Sequence, residues 1–240
     1  MRISQLGNRE GLFTRRSAVF GAVAALAVMQ NGFAPLLHAR SSDVADLKRF
    51  IEKSIGKSPA KRKRIAQETL DGINPLKGSE LLELGALGVI ARESSTSEAL
   101  AEDIPRRSKR LIESLLKSHS GVAWAHAMTG AWHYEIVNRS RLAATFLGAS
   151  RKKGSEQFDL ARKNAAEDGG IYLLEAISLI YDKEDKKLGE IANLLGKAAA
   201  AGRTSGGAYG EKIVKHAREL SRVAKTSGMS ALANEVRQVF

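Results

Sequence analysis

Apolar residues recur at three- and four-residue intervals along most of the chain, and no stretch from residue 40 onward alternates apolar with polar positions. That periodicity predicts helices throughout and no sheet. Val44, Leu47, Phe50 and Ile51 predict a helix over Asp43–Lys53, ended by Gly56 and Pro59. A second, over Lys61–Leu70, carries Ile65, Ala66, Thr69 and Leu70 on one side, and the cluster Asp71-Gly72-Ile73-Asn74-Pro75 predicts a turn after it. Leu81, Leu82, Leu84, Leu87 and Ile90 predict a helix over Ser79–Ala91, with Gly85 and Gly88 expected to admit a neighbour closely. Ser95-x-x-Glu98 reads as a capping box, and Pro105 opens a helix to about Leu116.

The strongest pattern lies over Val122–Arg139. Trp124, Met128, Trp132 and Ile136 recur every four residues, beside a second row of His126, Gly130, His133 and Val137. An amphipathic connection, Leu142–Leu147, leads to helices over Lys152–Ala165, Ile171–Tyr181, Lys186–Ala201, Glu211–Lys225 and Ser230–Val239. Connections as short as Glu167-Asp168-Gly169-Gly170 make successive helices antiparallel neighbours. His133 is expected to hydrogen-bond a carboxylate across its helix pair.

The first forty residues break this pattern. Arg2, Arg9, Arg15 and Arg16 stand against the single acid Glu10, and an Ala-rich apolar run from Ala18 to Met29 follows. A basic start, a short apolar run and a small residue in Leu37-His38-Ala39 predict an export signal over residues 1–39, cleaved after Ala39. Thr14-Arg15-Arg16-Ser17-Ala18-Val19 resembles the twin-arginine motif, with Ala18 in place of the preferred Phe. The alternative is an uncleaved inner-membrane anchor over Ala18–Leu37, which is barely long enough to span roughly 30 Å of hydrocarbon. Either way residues 40–240 are expected outside the cytoplasm, in the periplasm, as one all-helical domain.

Location changes what the charge means. The 240 residues carry 38 Lys and Arg against 26 Asp and Glu, a formal +12. Without residues 1–39 the balance is 34 to 25. Export argues against nucleic acid as the partner of this basic chain, leaving an acidic protein, or an anionic membrane or wall surface. Three clusters would form such a patch: Lys61, Arg62, Lys63 and Arg64; Arg106, Arg107 and Arg110; and Arg151 and Lys152. The absence of cysteine excludes disulfides, thiolate metal sites and thiol nucleophiles. His119, His126 and His133 stand seven apart, about 10.5 Å along a helix, too far for one metal ion, so neither a metal nor another cofactor is expected. Ser-x-x-Lys occurs four times, first at Ser54 and Lys57, without the companion elements of penicillin-binding proteins.

Paired helices of 11–16 residues invite a repeat reading. With Tyr172 as a large residue, Ala176, Leu179, Leu188, Ala192 and Leu195 follow at tetratricopeptide offsets, and Gly154, Phe158 and Ala161 show the same four-and-three spacing one unit earlier. Gly130-Ala131-Trp132-His133-Tyr134-Glu135, Leu147-Gly148-Ala149-Ser150 and Gly154-x3-Phe158-x2-Ala161 resemble a group of exported, tetratricopeptide-like bacterial proteins of uncharacterised function, over roughly residues 120–200. The resemblance implies antiparallel helix pairs stacked as a right-handed repeat array, and brings no catalytic residue. The T-component of substrate-binding-protein-dependent (TRAP) transporters is similar in architecture. The expected function is therefore non-catalytic binding of a protein, peptide or apolar ligand in a groove that includes Trp124, Met128, Trp132, His133 and Tyr172. A wall-acting helical hydrolase or lyase using Glu135 or Glu175 is the alternative.

Overall fold

The computed structural model describes residues 43–73, 79–118, 122–182 and 184–240. The expected export signal and its cleavage site, the turn at Asn74-Pro75 and His119 lie outside the described residues. Those described are helical, without a strand among them.

A first helix, α1, covers 43–54. It is followed by α2 (Pro59–Gly72), α3 (Glu80–Glu93), α4 (Thr96–Ala101) and α5 (Ile104–Ser118). Ser95 caps α4: its hydroxyl accepts from Glu98 N at 3.2 Å while Glu98 Oε2 accepts from Ser95 N at 2.7 Å, the reciprocal box the sequence predicts. On α5, Ile104, Ser108, Ile112 and Leu115 are buried, and Arg106 and Arg107 point outward. This N-terminal layer is built from α2 against α3 and α3 against α5.

α6 (Ala123–Arg139) is the centre of the fold. It packs most extensively on α8 (Arg151–Asn164), and also on α9 (Gly169–Asp182), α5 and α3. Between α6 and α8, the amphipathic connection is a short helix, α7 (Arg141–Leu147), which leaves Leu142 and Phe146 exposed. α9 is apolar on nearly every side and buried on nearly every side, as a central helix must be. It lies against α10 (Leu188–Ser205) and α11 (Gly207–Val239), which also pack on each other. The two helices expected at the C-terminus are the halves of α11, joined at Gly228, whose φ of 75° few other residues adopt without strain.

Glycines set how closely these helices approach. A Cβ at Gly130 would sit 2.8 Å from the Phe158 ring and 3.0 Å from Gly154 O, and one at Gly169 would sit 2.5 Å from Ala198 O. Gly210 and Gly202 make an equally close crossing of α10 and α11. Phe158 and Ala161 are completely buried at the first crossing, in the spacing read from the sequence. On α10 the register differs by three residues. Ile191, Leu195 and Ala198 are its fully buried set, whereas Leu188 and Ala192 are only half buried. The reason is local: the 3-10 turn Asp185–Lys187 runs directly into Leu188, which starts the helix at its exposed end.

The far end of α11 returns to the N-terminal layer. There Gly56 N donates to Val239 O at 2.9 Å, while near the start of α11 Lys212 Nζ donates to Glu52 O. Arg62 completes the closure.

Candidate functional site

An apolar cavity of about 180 Å³ lies between the N-terminal layer and the paired helices α6 and α9. Its floor is Leu47 and Phe50 of α1, Leu84 of α3, Trp124 and Met128 of α6 and Leu173 of α9. All four members of the four-residue stripe on α6, Trp124, Met128, Trp132 and Ile136, line it. Both tryptophans of the chain are thus in its wall. The helical repeat that made α6 conspicuous in the sequence is therefore the lining of a void as well as a packing surface.

α3 supplies another part of the wall through Leu84, Gly85, Gly88, Val89, Ala91 and Arg92. Gly85 admits α1 closely, since a Cβ there would meet Leu47 Cδ1 at 2.7 Å. Gly88 does not share that role: it is exposed, and a Cβ added to it meets nothing within 4 Å. One turn further on stands Arg92, so the two share a face of the helix.

The lining also carries charged and polar residues. Arg62, Arg92, Glu135 and Arg139 all belong to the wall. Arg139 pairs with Glu135 and donates to Ser94 O at 3.1 Å and to Ala91 O at 2.5 Å, capping α3. Arg92 donates to Phe240 O at 3.3 Å and lies 5.4 Å from the Tyr181 ring centroid. Its Nε is buried without an acceptor, and so is Trp132 Nε1. Burial pushes the Tyr181 hydroxyl above its ordinary range.

Of the groove residues expected from the sequence, Trp124, Met128 and Trp132 meet at the cavity, and His133 and Tyr172 do not line it. Both are buried elsewhere. His133 finds no carboxylate: its Nδ1 is buried without a partner, and its ring meets Trp132 edge-on at 5.1 Å. Burial first, with the charge of Lys153 adding, lowers its pKa to about 4. The unfolded chain, with an imidazole near 6.5, takes up the proton first. His133 therefore leaves stability intact above about pH 6.5 and removes it as pH falls towards 4. His133→Leu is expected to gain about 2–3 kcal/mol on the wild type between about pH 7 and pH 4, read by urea denaturation at each pH. The opposite trend from Asp43, whose burial raises it to about 6, is common to both proteins and cancels.

Most cations of the three basic clusters stand beside carboxylates. Arg62 is 1% exposed and belongs to the interior, so it leaves the patch altogether. Its neighbours Lys61 and Arg64 are exposed and Lys63 half buried; Lys61 lines a depression of mixed charge that also holds Asp43, Asp46, Glu52 and Glu68 beside Lys53, Lys57 and Lys212, and Arg64 sits 3.5 Å from Glu68. Arg106 and Arg110 share Asp103, Arg107 pairs with Glu83 at 2.7 Å, and Arg151 pairs with the fully buried carboxylate of Asp182. Lys152 reaches Glu156 at 3.9 Å. The exposed pairs among these contribute little to stability, and all of them offset the charge that a partner would read.

Sequence reasoning missed Asp168, which lies in what reads as a plain turn. Its buried carboxylate accepts from Trp124 Nε1 at 2.9 Å, Tyr209 OH at 3.0 Å, Gly170 N at 3.1 Å and Lys48 Nζ at 2.8 Å. Helices α1, α6, α9 and α11 thereby meet on one side chain, and the orientation of Trp124 in the cavity wall is set there. Desolvation, followed by the Asp168 charge, pushes the Tyr209 hydroxyl well above its ordinary range. Four neighbouring donors converge on the one carboxylate, which marks Asp168 as a fixed strut.

The carboxylates considered for catalysis are engaged too. Glu175 is buried against Arg162, away from the cavity, and its pKa is raised by burial despite that pairing. Among the described residues no three His, Asp or Glu side chains gather where they could hold a metal ion, and no helix is long and apolar enough to cross a membrane. Comparison with protein families, curated proteins and solved structures finds no match to this chain.

Proposed function

We propose that this is a non-catalytic binding protein that holds a small apolar ligand in the cavity between its N-terminal layer and helices α6 and α9. One observation carries the reading: a void of about 180 Å³ walled by large apolar side chains, with the exposed Gly88 in its lining. Interiors are normally packed without such space, and filling it returns the dispersion contacts its lining forgoes. An apolar cavity of about 150 Å³ stays dry and takes benzene, so the present one suits a ligand of roughly six to ten non-hydrogen atoms. That is too small for a peptide, since ligand pockets of larger molecules begin nearer about 300 Å³.

The tetratricopeptide-like stacking of α6 with α8, α9 with α10, and α11 after them belongs to the same proposal. Its support is the close crossing at Gly130 and Gly154 and the one at Gly202 and Gly210. Export to the periplasm, expected from residues 1–39, completes it. The alternative of a wall-acting enzyme has less support, because Glu135 and Glu175 are each held by an arginine.

Tryptophan emission tests the reading, because both tryptophans line the cavity. Titration with 1-octanol is expected to change the emission saturably in the wild type and more weakly in Gly88→Leu, which adds a side chain at the exposed glycine of the lining. The variant is expected to be as stable as the wild type or more so, since replacing glycine in a helix interior gains about 0.5–1 kcal/mol. An emission unmoved by octanol, or an unchanged titration in Gly88→Leu, would contradict the proposal.

A further inference from the structure

We infer that the short helix α7 and the turn after it dock on an anionic lipid surface, with Leu142 and Phe146 entering the head-group region and Arg141 and Lys153 flanking them. This is independent of the cavity and of what fills it.

The first ground is the face that α7 leaves uncovered. Its seven residues pack chiefly on α6 and bury Ala144, while Arg141, Leu142, Thr145 and Phe146 are exposed. Those four stand at one-, three- and four-residue spacing, so they form one outward face of the helix. Phe146 is 80% exposed and Leu142 69%, more than any other large apolar side chain described. Exposed apolar residues scattered singly are ordinary on a protein surface; two placed one turn apart make a continuous apolar ridge.

The second ground is charge. Residues 136–155 carry five Lys and Arg and no Asp or Glu. Arg141 lies on the outward face at the start of α7. At the other end, Lys153 reaches back from α8 and donates to Gly148 O at 3.0 Å, two residues beyond Phe146. That acceptor is a neutral carbonyl, so the charge of the ammonium is not offset. Arg151 and Lys152 have the carboxylates of Asp182 and Glu156 beside them, whereas Arg141 and Lys153 pair with no described carboxylate. The first turn of α8 thus holds three cations and no acid, where the helix dipole favours negative charge.

Together these features choose the occupant. A second copy of this face would set Arg141 and Lys153 against like charges. A stable protein interface covers about 800 Å² on each partner, far more than two side chains on one short ridge supply. A bilayer surface needs neither that breadth nor a complementary shape: apolar side chains enter the head-group boundary while cations stay at the anionic heads.

The chain has no cysteine, so Thr145→Cys accepts a single environment-sensitive fluorophore on this face. The label reports contact at α7 itself, and attachment of the full chain through other residues, 1–39 included, does not imitate it. With vesicles of phosphatidylglycerol and phosphatidylcholine in equal parts, its emission is expected to rise and shift to the blue. With phosphatidylcholine alone it is expected to stay unchanged. Adding Leu142→Ser and Phe146→Ser is expected to abolish the response. Arg141→Gln with Lys153→Gln is expected to raise the lipid concentration at half-response about tenfold or more. All four positions are exposed, so the urea midpoint of each variant is expected to match that of the labelled parent. Leu100→Ser, at an exposed leucine of α4, is expected to leave the response as it is. An unmoved label on the mixed vesicles, an equal response to phosphatidylcholine alone, or serine variants that still respond would overturn the inference. So would a response to poly-glutamate equal to that with lipid, which assigns the face to an acidic protein. A response that grows with protein concentration in the absence of lipid assigns it to a second copy and overturns the inference too.

Discussion

Replacing Arg62 by methionine is expected to lower folding stability by about 3–5 kcal/mol, read as a reduced midpoint in urea denaturation. The side chain is 1% exposed, yet each guanidinium nitrogen finds acceptors. Nε and Nη2 reach Glu93 Oε1 at 2.7 and 2.6 Å. Nη1 donates to Lys57 O at 2.5 Å and Gln238 O at 2.9 Å, and Nη2 to Arg237 O at 2.8 Å. The guanidinium thus caps the last turn of α11 and ties it to α2 and α3. Its removal leaves the half-buried Glu93 carboxylate without its counter-ion and several carbonyls without donors. The double replacement Arg62→Met, Glu93→Met is expected to recover part of the loss, because the stranded charge goes with its partner. A double variant weaker than Arg62→Met would place the cost in packing instead.

The second large effect is expected at Asp168. Asp168→Ala removes the acceptor shared by Trp124, Tyr209, Gly170 and Lys48, and the first three of those donors are left in buried surroundings. One unsatisfied buried donor costs about 1–3 kcal/mol. Since the four act through one carboxylate and do not add, about 3–4 kcal/mol is the expected total. A second readout separates this from a generic loss of stability. Trp124 loses the bond that orients its indole, so native-state emission should shift even where the variant is fully folded. Tyr209 responds as well: its hydroxyl, released from the Asp168 charge, should titrate closer to its ordinary value.

Particular residues explain why some of this was legible in the sequence. The stripe on α6 was readable because burial on a helix imposes its period of about 3.6 residues on residue choice, and Trp at two positions of the stripe is a strong signal. The Ser95 and Glu98 box was readable because both partners lie within one turn. Arg62 was not: four consecutive cations look like a solvated helix start, and Arg237, whose carbonyl helps to bury the second of them, lies 175 residues away. Asp168 was hidden by its setting in an acidic, glycine-rich turn, a composition that fits any surface loop. The register of α10 was ambiguous for a different reason. Leu188, Ala192 and Leu195 and the truly buried Ile191, Leu195 and Ala198 satisfy the same four-and-three rule in a helix rich in Ala and Leu. Gly85 and Gly88 look alike as letters, and only the position of α1 makes one a close contact and leaves open space at the other.

The cavity itself follows from these placements. Asp168 holds Trp124, Arg62 draws the end of α11 onto α2, and Gly85 sets α1 against α3. Together they fix the walls around a space that the side chains do not fill. The most direct measurement of the central claim is the anomalous scattering of a bromine atom in crystals grown with ω-bromo-octanol. A bromine peak enclosed by Leu47, Trp124, Met128 and Leu173 is the predicted result; a peak confined to the protein surface, or an empty cavity at saturating ligand, would contradict it.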